Sequence, residues 1–138
     1  MKKCRWLLLF LLFSCGEKQK EPIIGISLTN NNKSIKFTGL DKEIVTEISR
    51  DSIPEVWESL APVFKMPADT DLKSYQPVQH GAYVPVNGSV IFTPDTPFVK
   101  GQVYFMRYYT FKGSDIWDYV KGKKRLDGVS YQDLVVRP

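Results

Sequence analysis

Cysteine is nearly absent from this chain of 138 residues: there are two, and both fall within the first fifteen, at Cys4 and Cys15. No segment beyond them can form a disulfide or a thiolate metal site. Histidine occurs once, at His80, which excludes a metal centre built on several imidazoles. No metal and no cofactor is expected. An apolar stretch long enough to span a bilayer is also lacking, because the longest run, Trp6 to Phe13, falls far short of the roughly 20 residues required. Charge excess is missing too. Three of the 19 basic residues are Lys2, Lys3 and Arg5, and the rest of the chain carries 16 against 15 acidic residues. That balance removes the basic face on which phosphate-backbone binding depends, so no nucleic-acid partner is expected.

What is present begins at the N-terminus. A charged start, an apolar run and the small residues Ser14-Cys15-Gly16 have the layout of a signal peptide. Leu12-Phe13-Ser14-Cys15 resembles a bacterial lipobox, at which a signal peptidase cuts before a lipidated cysteine. The resemblance implies a leader over 1–14, a lipid on Cys15 and attachment to a membrane of the bacterial cell envelope, at the outer membrane or the cell surface. Residues 15–22 (CGEKQKEP) continue as a polar tether. Residues 23–138 are enough for one ordinary domain and too few for two.

Within that domain, extended segments dominate. IIGISL and SIKF flank the turn NNNK, and EIVTEIS reads as a further short strand. GAYVPV and SVIFT form a hairpin about Asn87-Gly88, a strong type I′ signal, with Pro85 confining the first strand to an edge or a bulge. Gln102 to Phe111 gives the longest strand, and the last lies around Val129–Val136. One helix is expected, over SIPEVWESLAPVF: Ser52 and Glu55 have capping-box spacing, and Pro54 suits a first turn. MPADTDLKSYQP reads as a long polar loop, and 113–124 as a loop or hairpin. These elements predict an all-β antiparallel sandwich of about seven to eight strands with one short helix.

The stretch FTPDTPFVKGQVY is similar to a phrase that recurs in bacterial Ig-like domains. Phe92, Thr93, Pro94, Pro97, Phe98, Gly101 and Tyr104 carry the match. The resemblance implies an Ig-like sandwich in which Tyr104 forms a tyrosine corner, its hydroxyl bonding back to the backbone a few residues upstream. It implies no chemistry, since such domains act as spacers, adhesion modules and binding platforms.

Catalytic signals are weak. Asp69-Thr70-Asp71 has the alternation of a calcium loop without its glycine or distal glutamate. Asp115, Asp118 and Asp127 could supply the carboxylate pair of a small hydrolase, but lysines interleave them. The expected function is therefore non-catalytic: binding of an envelope protein or a glycan. The alternative is a structural subunit of a larger envelope assembly. Both faces of the Gln102–Phe111 strand are aromatic, with Tyr104 and Tyr108 on one and Phe105, Tyr109 and Phe111 on the other. One face must be core; the other is either a binding surface or packs under the long loop or the helix. Trp117 and Tyr119, among charged neighbours, join Tyr108 as the candidate binding residues.

Overall fold

The computed structural model describes residues 24–50, 54–111 and 115–138. Cys15 and the lipobox-like segment lie outside these, as do Ser52 of the capping box and 112–114. Seven strands form two antiparallel sheets. The first joins β1 (Gly25–Thr29), β2 (Ser34–Thr38), β5 (Ser89–Pro94) and β4 (Gly81–Val86) in the order β1-β2-β5-β4. The second joins β3 (Val63–Lys65), β6 (Tyr104–Thr110) and β7 (Ser130–Val136) in the order β3-β6-β7. Lettered A to G along the chain, the sheets read ABED and CFG, the strand order of the constant-type immunoglobulin sandwich.

The turns follow their residues. Asn30, Asn31 and Asn32 all take positive φ between β1 and β2, a region asparagine tolerates better than most side chains. Asn87 and Gly88 both have positive φ and set the register of β4 on β5, with Val86 opposite Ser89. Pro85 sits on the outer strand β4 as expected. Pro94 closes β5, and Phe98 returns to pack on Tyr104 with ring centroids 4.6 Å apart. The Tyr104 hydroxyl accepts a hydrogen bond from the Val99 backbone N–H at 3.0 Å, which is the expected corner at the entry to β6.

Three expectations for local structure are corrected. EIVTEIS is a helix, α1 (Lys42–Arg50), not a strand. Ile44, Val45 and Ile48 are all buried, which a helix achieves with spacing i, i+1, i+4 and a strand with alternating faces cannot. Asp41 starts this helix by accepting from the Glu43 N–H at 2.8 Å. The segment 113–124 holds a helix, α3 (Asp115–Val120), and the polar loop holds a 3-10 turn at Thr70–Tyr75. The expected helix is present as α2 (Pro54–Leu60), so the described residues carry four short helical segments where one was expected.

The core lies between the sheets and is closed at one end by the helices. Ile35, Phe37, Val90 and Phe92 from the first sheet meet Val63, Tyr104, Met106 and Tyr108 from the second. Trp57 of α2 packs edge-on to Phe37 and stacks on Tyr83, whose hydroxyl donates to the Ala61 carbonyl at 2.9 Å. Burial, and secondarily the nearby Glu58 carboxylate, push the Tyr83 phenol well above its ordinary range. Strand alternation puts the start of β1, the helices α1–α3 and the Asn87-Gly88 turn at one end of the sandwich. The β1–β2 turn, the Tyr104 corner and the C-terminus lie at the other.

Candidate binding surface

Strand β6 decides which aromatic face is core. Tyr104, Met106 and Tyr108 point inward, while Phe105, Arg107 and Tyr109 point out from the second sheet. Tyr108 is only 5% exposed, and burial and the neighbouring Asp41 push its phenol up to about 12. The expectation that Tyr108 lies on a binding surface is therefore corrected: its alternating partners Tyr104 and Met106 face the opposite sheet, and Tyr108 goes with them. Trp117 and Tyr119 sit on a helix rather than a strand, so they do not share the face that alternation would have given them. Both are half-buried against the core, and Tyr119 stacks on Phe111 at 5.3 Å. Burial raises the Tyr119 phenol against the opposing pull of the Ser59 hydroxyl.

The outer face of β6 is built around one charge cluster. Arg107 is 7% exposed, yet fully engaged: Nε donates to Asp133 Oδ1 at 2.8 Å and Nη2 to Oδ2 at 3.0 Å. The register makes this fork possible, since Arg107 and Asp133 are directly opposed on β6 and β7. Lys73, from the 3-10 turn, reaches the same carboxylate at 2.7 Å, and its ammonium lies 4.6 Å from the centre of the Phe105 ring. The guanidinium lies 4.0 Å from the centre of the Tyr131 ring. The Asp133 hydrogen bond holds Arg107 above its ordinary value despite burial. Burial alone would raise Asp133, but the bonds from Arg107 and Lys73 outweigh it and hold the carboxyl below its usual range.

The 3-10 turn that delivers Lys73 is capped by Asp69, whose carboxylate accepts from the Asp71 N–H at 3.0 Å. The Asp69-Thr70-Asp71 pattern is thus a helical cap here. Over this face the turn covers Phe105, which is fully buried and stacks on Phe64. The outward aromatic face is therefore covered in part by the long loop and exposed in part. What remains in solvent is Leu72 and Tyr75 on the turn, and Tyr131 and Val135 on β7. Tyr75 is 81% exposed and Tyr131 51%. Beside Tyr131, a shallow cleft of about 620 Å³ is lined by Tyr109, Leu126, Asp127 and Ser130.

Strand parity was the signal for this surface, since Phe105 and Tyr109 shared a face. Asp133 and Tyr131 were missed because only the register shows which β7 residues stand opposite them. Elsewhere, Asp115 pairs with Lys124 rather than with a second carboxylate, and His80 Nδ1 lies 3.0 Å from Glu58 in solvent. Among the described residues, no group of three or more His, Cys, Asp or Glu side chains could hold a metal. Comparison of the chain with family models, curated proteins and solved structures gave no match.

Proposed function

We propose that this protein is a lipid-anchored, non-catalytic module of the bacterial cell envelope, attached through Cys15, whose Ig-like domain binds a partner protein. The observation that carries the binding half is the set of exposed apolar side chains, Tyr131 and Val135 on β7 with Leu72 and Tyr75 on the 3-10 turn, beside a cluster in which Arg107 and Lys73 both hold Asp133. Exposed aromatic and aliphatic side chains on a flat, rigid sheet, rimmed by polar groups, are what a protein partner buries.

Two measurements test this reading. Cys15→Ala is expected to move the protein out of the membrane fraction or to leave the leader uncleaved; wild-type fractionation and migration would overturn the anchor. A photo-crosslinking residue in place of Tyr75 is expected to capture one defined protein in intact cells, and Tyr131→Ala to abolish that capture while leaving the melting temperature within a few degrees of wild type. Crosslinks to polysaccharide would transfer the surface to a glycan, and no specific adduct would remove it.

A further inference from the structure

Among the described residues the sandwich has four edge strands, of which two are guarded and a third is short. β4 carries Pro85, and β3 has three residues with its outer side covered, since Gln79 N–H donates to the Val63 carbonyl at 2.7 Å and Val78 bridges to Phe64. β1, like β7, pairs without a bulge and carries neither lysine nor proline, but it has only five residues. β7 is seven residues long, pairs with β6 without a bulge, and contains neither lysine nor proline. Those are the devices by which edge strands ordinarily avoid pairing with other chains.

The direction of its free backbone groups can be worked out. Arg107 N–H donates to the Pro62 carbonyl and Val103 C=O accepts from Met66, so odd-numbered residues of β6 bond toward β3. Even-numbered residues of β6 therefore bond toward β7, where their partners are Ser130, Gln132, Leu134 and Val136. Tyr131, Asp133 and Val135 turn their N–H and C=O groups to the open edge. Among the described residues, no strand pairs with that edge; β1 runs beside it from the facing sheet without joining it.

We infer that β7 pairs antiparallel with β7 of a second copy of this chain, centred on Asp133, to give a continuous six-stranded sheet across a twofold axis. The occupant follows from self-complementarity. About that centre, Tyr131 stands opposite the second copy's Val135, and Val135 opposite its Tyr131, all on the outer face. The two β7 residues left most exposed as large apolar groups on each copy thus cover each other. The two Asp133 carboxylates that meet at the axis do not repel as bare charges, because each is held by its own Arg107 and Lys73. The outer faces of both copies then merge into one surface with two Tyr75 platforms. This inference stands apart from the lipid anchor; it gives Tyr131 and Val135 to the second copy and leaves Leu72 and Tyr75 to any other partner.

The test uses the full chain purified in a density-matched detergent, measured by sedimentation equilibrium. A dimer at micromolar concentration is expected, and a monomer throughout that range would overturn the inference. Gln132→Lys with Val135→Lys places lysines on the edge and is expected to give monomers with an unchanged thermal melt. In Tyr131→Cys with Val135→Cys, the two positions lie about 13 Å apart within one chain, too far for an internal disulfide, but oppose each other across the axis. Oxidation is expected to yield covalent dimers. A dimer that survives the lysines and does not crosslink through these cysteines would mean that the chains meet elsewhere, and would equally overturn the pairing.

Discussion

The two faces of β6 differ in what holds them. The inward face, Tyr104, Met106 and Tyr108, is buried against the facing sheet and the helices. The outward face, Phe105, Arg107 and Tyr109, is held by a 3-10 turn and by an ion-paired cluster with β7. One face therefore depends on excluded water and close packing, the other on a register that opposes Arg107 to Asp133. The contrast shows how a small domain without disulfides can stabilise both sides of one strand. It also shows why only the outward side of that sheet leaves large apolar side chains such as Tyr131 and Val135 in solvent.

The comparison is broken most severely from the inside. Met106→Ala empties a fully buried site and is expected to cost about 2–5 kcal/mol, read as a lowered midpoint in denaturant melts. A loss below about 1 kcal/mol would mean that the inner face is not the tightly packed one.

On the outward face, Arg107→Ala is expected to cost about 2–3 kcal/mol, less than breaking a sealed pair, because Lys73 still reaches the Asp133 carboxylate. The pH dependence sharpens the assignment. The folded protein holds Asp133 below its ordinary value, so its contribution is full above that ordinary value, near pH 4, and is lost as pH falls through the depressed one. Asp133→Asn should lower stability at pH 7 and flatten the acid limb of the stability curve below about pH 4. An acid limb identical to wild type would show that the cluster contributes nothing electrostatic.

The smallest expected effect is at the corner between the faces. Tyr104→Phe removes the acceptor of the Val99 N–H and is expected to cost about 1–2 kcal/mol. Tyr108→Phe, mid-strand, should cost less. Equal losses in paired melts would deny Tyr104 its corner role.

Much of the fold was legible residue by residue. Asn87-Gly88 announced the hairpin, Pro85 its edge, and FTPDTPFVKGQVY the return of Phe98 and the bond to Tyr104. These are local constraints on φ, on donors and on side-chain reach, and they act over a few residues whatever the surroundings. α1 was misread because threonine, valine and isoleucine favour strands in isolation, whereas burial of Ile44, Val45 and Ile48 on one side favours a helix. α3 was hidden for the same reason, since six residues hold a helix only when Ile116, Trp117 and Tyr119 find a core to lean on.

By itself, then, the sequence determined a thiol-free β domain, its main turns and its corner, because those follow from short-range sterics and hydrogen bonding. Tertiary structure decided the proposed binding surface. Which aromatic face of β6 is core, whether Arg107 meets Asp133, and which residues of the 66–77 loop lie over them all depend on pairing between strands far apart in the chain. A shift of one residue in that register would turn Arg107 and Asp133 to opposite faces of the sheet.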